Sequence, residues 1–421
     1  MNSTTRRVLP LIAVLTLAGC GNGSSPASDA GPDADTGDPI PLTAVDLLIA
    51  VDDSNGMAQE QFLLSSQLFA FVGALMHPLP ASTYAAVDDI RIAVVTSNMG
   101  FSSDGVNNDE YWPDPDAVPS QCAGFGDDGR FQTSMPSIIE LPNDTIPCDA
   151  TDAQCPGGWT CIIDGDAGVD GAGVCHTDGT TSVSCPELED ASWAKTTPDA
   201  PNGGLTAQAA CLANQGNSGC GWEQQLASPA RALVREDQTD FVRDNAVLAV
   251  VLVSEEEDCS MKDGESMFEE EEVAEPSLQE IGLACGNHPE HLVAPSHFYE
   301  VFTGAKPSPD AVVYAAIVGV PYGEQPGAAA CQGPGDQIGD CLDQEAMQLL
   351  PEQPGGGDAW WFHPACIAIA GSTEITRADP GRRYVELATD FGANGYVYSI
   401  CNADWSPAFA VINMMIAEKL E

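Results

Sequence analysis

The stretch VDLLIAVDDSNGMAQEQ, residues 45–61, decides how the rest of the chain is read. Residues 45–51 form an apolar run of strand length that stops abruptly at Asp52 and Asp53. Ser54, Asn55 and Gly56 follow, and then apolar residues at helical spacing over 57–76. A near-continuous apolar run, rather than an alternating one, suits a strand buried on both faces of a parallel sheet. A strand that ends in a carboxylate and a hydroxyl presents hard oxygen donors, which Mg²⁺ and Ca²⁺ prefer. The same residues also make an Asx-type turn that caps the helix behind them. Both uses stay open at this point.

Further apolar, β-branched runs lie at 90–96, 246–253, 311–320 and 395–400. Helical patterns stand between or after them at 222–234, 383–391 and 406–420, with Pro229 to be accommodated near a turn or kink. Strand and helix in alternation imply right-handed crossovers. The predicted fold class is α/β: a doubly wound, mostly parallel sheet with helices on both faces, plus a disulfide-rich irregular insertion. That insertion is 101–205, rich in Gly, Pro, Asp and Cys. Within it CDATDAQCPGGWTCIIDGDAGVDGAGVC (148–175) reads as a small module stapled by disulfides because it is too short to bury a core. Residues 322–381 read as a second, loop-like insertion.

Residues 1–20, MNSTTRRVLPLIAVLTLAGC, pair a basic start (Arg6, Arg7) with an apolar core too short to span a bilayer. Their Leu-Ala-Gly-Cys ending resembles the bacterial lipoprotein cleavage box, which implies lipidation of Cys20. Gly21 in place of an aspartate favours the outer membrane on the same resemblance. Residues 21–41, rich in Gly, Ser, Pro, Asp and Ala, read as a flexible linker to the domain at 42–421. Of 15 cysteines, setting Cys20 aside leaves an even number, which in an exported chain predicts up to seven disulfides. Cys259 and Cys401 follow strand ends and are expected to help tie the core.

The formal charge is −49, from 14 basic and 63 acidic residues, and cleavage before Cys20 would remove two of the basic ones. Such a balance excludes nucleic acid and anionic membrane surfaces as partners, since both need clustered Lys and Arg. Divalent cations remain possible partners.

VDLLIAVDDSNGM is similar to the first strand and the Asp-x-Ser-x-Ser metal-ion-dependent adhesion motif of the von Willebrand factor A family. The resemblance continues through RIAVVTSNMG (91–100), GCGWEQQL (219–226), LAVVLVSEEEDCS (248–260) and RRYVELATDFGANGYVYSICNADWSPAFAVI (382–412). Together these look like the A-domain lipoproteins of myxobacteria. The resemblance implies a cation, Mg²⁺ or Ca²⁺, held by Asp52 and Ser54, with Glu255 in place of the family's later aspartate. It also implies a degenerate site. Gly56 stands where the motif has its second serine, and Cys220 aligns with its threonine, a soft sulfur expected to be disulfide-bonded.

Other candidates are weaker. The acidic runs at 255–258 and 269–272 read first as solvated faces. Cys285, His288 and His291 have C-x2-H-x2-H spacing that could hold zinc or copper, although Cys285 is wanted for a disulfide. Asp164, Asp166 and Asp170 resemble a calcium loop but read better as turn residues, because Gly168 takes a ligand position. Trp360, Trp361 and Phe362 offer an exposed aromatic contact or a satellite core. The sequence lacks Gly-x-Ser-x-Gly, His-Glu-x-x-His, a phosphate loop and Gly-x-Gly-x-x-Gly after a strand. The expectation is therefore a non-enzymatic surface lipoprotein. Its A-type domain binds an unknown protein or surface polymer at the carboxyl rim of the sheet, with Asp53 and Glu256 beside the metal residues. An envelope hydrolase built from the two insertions, or a structural spacer, are the alternatives.

Overall fold

The computed structural model of the chain describes residues 40–420, apart from 80–81, 83, 101–121, 123–124, 145, 149–154, 157–158, 164–172, 189–191, 197–203, 263–277, 353–360 and 371–372. Cys20, the calcium-like loop at 164–170, the acidic run at 269–272 and Trp360 lie outside the described residues.

Seven strands make the central sheet: β1 (Ala44–Val51), β2 (Ile90–Thr96), β3 (Ala194–Lys195), β4 (Ala246–Val253), β5 (Val312–Val318), β6 (Gly333–Pro334) and β7 (Gly395–Ser399). Their order is β6-β7-β5-β4-β1-β2-β3. The five longer strands pair parallel, and the two-residue edges β3 and β6 pair antiparallel. Every residue of β1, β4 and β5 is buried, as the unbroken apolar runs require. The direction of travel reverses at β1. Its successor β2 lies on one side, while β4, β5 and β7 build outward on the other.

Alternate residues of β1 face different cores, as the period of two dictates. Val45, Leu47, Ile49 and Val51 pack with α1 (Ala58–Met76), α2 (Gly204–Leu212) and α7 (Ser406–Ala417, numbered after the helices below). Leu48 and Ala50 pack with α3 (Ala227–Val234), α5 (Pro295–Gly304) and α6 (Arg382–Phe391). Helix α4 (Leu278–Asn287) lies in the chain between α3 and α5. Asp46 is the polar exception within β1, fully buried, and takes hydrogen bonds from Arg243 N at 2.7 Å and Arg243 Nε at 2.8 Å. No helix among the described residues is long and apolar enough to cross a membrane.

The first insertion has its own small core. Ile139, Leu141, Ile146, Trp159 and Val183 pack on Phe69 of α1 and Ala207 and Ala210 of α2. Disulfides Cys148–Cys161, Cys155–Cys175 and Cys185–Cys211 staple it, and Cys122–Cys220 ties it to the loop before α3. The remaining bridges are Cys259–Cys285, Cys331–Cys341 and Cys366–Cys401, so all fourteen cysteines after Cys20 are paired, as the even count predicts.

The structure corrects the sequence reading in three places. The insertion read at 101–205 leads into α2, a helix buried around its whole circumference and therefore without an amphipathic signal. The helix expected over 222–234 begins only at Ala227, because residues before it are held by contacts to other loops. Pro229 then falls in the first turn, where its missing N–H is no loss. Residues 322–381 are more than a loop. They include β6 and an antiparallel hairpin, Cys366–Ala370 with Thr373–Ala378. Phe362 is buried and covers Gly286 of α4, a satellite core rather than an exposed contact.

Candidate metal centre at the sheet rim

The register that pairs Val51 with Val253 delivers Asp52 and Ser254 side by side at the carboxyl ends of β1 and β4. Asp52 N still bonds Val253 O at 3.1 Å. Its side chain is fully buried. Oδ1 accepts from Ser54 N at 2.8 Å, closing the Asx turn expected from the sequence. Oδ2 accepts from Ser254 Oγ at 2.7 Å and Gln225 Nε2 at 3.2 Å. Gln225 is held in turn by the Tyr384 hydroxyl at 2.8 Å. From α1, Gln61 Nε2 clamps the turn by donating to Asp52 O at 2.8 Å and Gly216 O at 2.7 Å.

Ser54 is 3% exposed, yet its hydroxyl has no hydrogen-bond partner. Asp53 points inward rather than out from the rim. It is 8% exposed, accepts from Ser97 Oγ at 3.2 Å, and lays its carboxylate over Gly219, where any side chain would collide with it. Glu255 and Glu256 are half-buried. The Glu255 carboxylate lies against Gly56, in the volume that a side chain at residue 56 would fill. Glu256 N donates to Ser254 Oγ at 3.0 Å.

Glu223, not singled out in the sequence, is the most conspicuous member of the group. It is fully buried and neither carboxylate oxygen has a hydrogen-bond partner. Its backbone is fixed from two sides, by a bridge to Asn98 and by Cys259 N donating to Glu223 O at 2.7 Å. Glu60 of α1 is similar. One oxygen accepts from Thr376 Oγ1 at 2.5 Å and the other is buried without a partner.

Burial and mutual repulsion push these acids upward. Glu255 rises to about 9, through burial first and then the charges of Asp52, Glu60 and Asp379. Asp53 rises to about 7, through burial and then Asp52 and Asp127. Glu223 and Glu256 lie well above the carboxylate range, again through burial and then Asp52. Burial also raises Asp52, against the hydrogen bonds from Ser254, Ser54 and Gln225. Asp379 is raised to about 7 by burial, opposed by Arg377. The strong ion pairs lie elsewhere: Arg383 with Asp258 at 2.9 Å, Arg243 with Asp46 at 2.7 Å, and Arg231 with Asp128 at 2.9 Å. The result is a group of raised carboxyls around Asp52 with little cationic compensation, although no three of these described acids bring ligand atoms within 4.8 Å of one another.

Other sequence candidates fare less well. Cys220 is consumed by its bridge to Cys122 and offers no ligand. Cys285 is bridged to Cys259, leaving His288, Glu290 and His291 as a partly exposed cluster without its thiolate. Cys148, Cys155 and Cys175 converge, but as disulfides rather than thiolates. An apolar groove of about 300 Å³ between α1 and α7, lined by Phe71, Tyr84, Phe409 and Met414, shares no residue with the carboxylates. Comparison with family models, curated proteins and solved structures finds no match for this chain.

Proposed function

We propose that the chain is an exported, lipid-anchored recognition module. In this reading a doubly wound domain of the von Willebrand factor A type binds a protein or surface polymer at the carboxyl rim of its sheet. A divalent cation, Mg²⁺ or Ca²⁺, held through Asp52 and Ser54, serves that binding. One observation carries the reading. A fully buried aspartate and a buried, unpartnered serine hydroxyl occupy the strand end where the sheet order reverses. In open α/β sheets ligands bind at that switch point. Asp52 and Ser54 offer the hard oxygens such an ion prefers, and the Ser54 hydroxyl is an orphan that it would satisfy. When bound, the ion supplies positive charge and a coordination position at the rim. The chain's own residues orient it, Ser254 and Gln225 by fixing Asp52, and Gln61 by fixing the turn. Glu256 lies beside this centre and Asp53 beneath it.

Binding is favoured over hydrolysis because the groups in contact with Asp52 are serine and glutamine, with no histidine among its hydrogen-bond partners. The lipid at Cys20 and an outer-membrane location belong to the same reading. Calorimetric titration of the full chain with CaCl₂ and MgCl₂ tests the cation. Pull-down from envelope extracts, with and without EDTA, tests the partner. The expected result is saturable binding of one ion, lost in Asp52→Asn, and EDTA-sensitive capture. An Asp52→Asn protein that binds both ion and partner as the wild type does would remove the reading.

A further inference from the structure

We propose that His288, Glu290 and His291 form a Zn²⁺ site with three protein ligands and an open fourth position. The site is independent of the reading of Asp52 as a cation centre and shares no residue with it.

The local sequence Asn287-His288-Pro289-Glu290-His291 explains why the three side chains meet. His288 closes the last turn of α4, its N–H donating to Ala284 O at 2.8 Å. Pro289 then opens a 3₁₀ turn, Pro289–His291, where its fixed φ suits the turn and its missing N–H is no loss. His291 N donates to His288 O at 3.0 Å. At three residues per turn, residues i and i+3 eclipse one another. The two imidazoles accordingly stack, with ring centroids 6.0 Å apart and planes inclined by 29°. Glu290 reaches back until its Oε1 lies 3.5 Å from His288 Nδ1.

One ligand atom from each of the three residues lies within 4.8 Å of the other two. Among the described residues one other grouping comes as close, Cys148, Cys155 and Cys175, and disulfides consume it. Zn²⁺ binds imidazole nitrogen and carboxylate oxygen at about 2.0–2.2 Å in a tetrahedron, which sets its ligand atoms roughly 3.4 Å apart. The 3.5 Å between Glu290 and His288 matches that spacing and is long for a hydrogen bond of their own. A square-planar ion with bonds near 2.0 Å would need neighbouring ligands at roughly 2.8 Å. Two imidazoles also favour Zn²⁺ over the oxygen-seeking Mg²⁺ and Ca²⁺.

The backbone beneath the three side chains is pinned. The Cys259–Cys285 bridge ties α4 to the segment after β4, so the disulfide that removes Cys285 as a ligand also fixes the turn carrying the other three. Lys262 N donates to His291 O at 3.0 Å and Val293 N to Ser260 O at 2.9 Å, an antiparallel bridge alongside the turn. Leu292 and Val293 are buried, while the side chains of His288 and Glu290 are 18% and 62% exposed. An ion can therefore enter from solvent. With three protein ligands, its fourth position is left to water or to a donor from another molecule.

The test is calorimetric titration of the full, chelator-stripped chain with ZnCl₂ in excess MgCl₂, which occupies carboxylates without competing for imidazole. Wild type should bind one Zn²⁺. Loss of a group that only orients a metal ligand costs roughly ten- to a hundredfold in affinity, so His288→Ala and His291→Ala should each weaken Zn²⁺ by at least about tenfold. Glu290→Gln, at the most exposed of the three positions, should weaken it as well, and decides the matter if a histidine variant fails to fold. Asp52→Asn should leave Zn²⁺ binding unchanged, and His291→Ala should leave the Ca²⁺ and Mg²⁺ titrations unchanged, so the two sites can fail separately. Co²⁺ in place of Zn²⁺ should give the intense visible absorption of a four- or five-coordinate ion, lost in His291→Ala. A weak octahedral spectrum overturns the proposal, as does Zn²⁺ binding that survives the double variant His288→Ala with His291→Ala. Absence of saturable Zn²⁺ binding in wild type overturns it outright.

Discussion

Strand β1 buries an aspartate at each end, and the chain treats the two in opposite ways. At the amino end, Asp46 receives the Arg243 guanidinium and backbone N–H, with contacts at 2.7–2.8 Å, and the same arginine also reaches Asp89 at 2.5 Å. Burial still raises the Asp46 carboxyl, but Arg243 opposes it through both hydrogen bonds and charge. At the carboxyl end, Asp52 receives only dipoles, from Ser54, Ser254 and Gln225, and its charged neighbours are other carboxylates. The fold can neutralise a buried aspartate with its own arginine. Where it omits one and gathers acids instead, burial and repulsion raise those acids, and a cation from solution is the complement we propose.

The largest expected effect lies at the amino end. Arg243→Ala leaves Asp46 buried and uncompensated, and should cost about 3–5 kcal/mol in urea unfolding. The loss should be the same in EDTA and in Ca²⁺, because that end needs no ion. Asp52→Asn should behave in the reverse way: neutral or stabilising in EDTA, destabilising relative to wild type in Ca²⁺. Equal ion dependence of the two variants would break the comparison.

Next in size is the bridge that holds the rim. Cys122→Ser with Cys220→Ser should cost about 2–5 kcal/mol. Because Cys220 lies in the loop that carries Gln225, which holds Asp52, cation affinity measured by calorimetry should fall with it. The double variant of Cys148 and Cys161, inside the insertion core, should leave affinity unchanged. If both pairs alter affinity alike, the rim is not the region being tied.

The pH dependence of the ion-free protein follows from the raised acids. Glu255 (about 9), Glu257 (about 8), Asp53 and Asp379 (about 7) hold protons in the folded chain that the unfolded chain releases near pH ~4. The folded state therefore binds more protons. Stability in EDTA should be fullest near pH 4–5 and decline as pH rises through about 7–9. Saturating Ca²⁺ should flatten or reverse that decline, as melting curves across pH would show. Self-repulsion in a chain at −49 adds a slope of the same sign, so the comparison needs a NaCl series. Screening shrinks the general part and spares the buried part. A Glu255→Gln protein with an unchanged slope would refute the assignment.

How much of this was legible beforehand depended on range. The strands and the Asp52–Ser54 turn could be read because their signals are local: an unbroken apolar run, a sudden pair of acids, and a helical period. The Gly56 gap was visible too, but not its occupant, since Glu255 arrives from the end of another strand. Glu223 lay between Trp222 and Gln224 in a segment read as the start of a helix. Its backbone is fixed by Asn98 and Cys259, contacts that no local pattern encodes. Asp46 passed as one acid in an apolar run, because its partner is 197 residues away. Helix α2 escaped because complete burial erases the period by which helices are recognised.

The smallest expected effect is the sharpest on the choice of ion. Gly56→Ser restores the hydroxyl the turn lacks, and its Cβ must displace the Glu255 carboxylate. That carboxylate ends a flexible, half-buried side chain, so it can swing outward at little cost. Stability in EDTA should change by less than about 1 kcal/mol, the scale of ordinary substitutions outside the core. The larger change should appear in selectivity. A hydroxyl enters beside Asp52 and Ser54 while the Glu255 carboxylate moves away, which shifts the local donors toward the fewer carboxylates that suit Mg²⁺. Competition calorimetry should show Mg²⁺ gaining on Ca²⁺ relative to wild type. Adding Glu255→Ala to Gly56→Ser should then change little more, since the carboxylate has already left. If Glu255→Ala moves the balance further toward Mg²⁺ in the Gly56→Ser background, the serine and the glutamate occupy separate positions. The idea that one stands in for the other would then fail, while Asp52 and its contrast with Asp46 would remain.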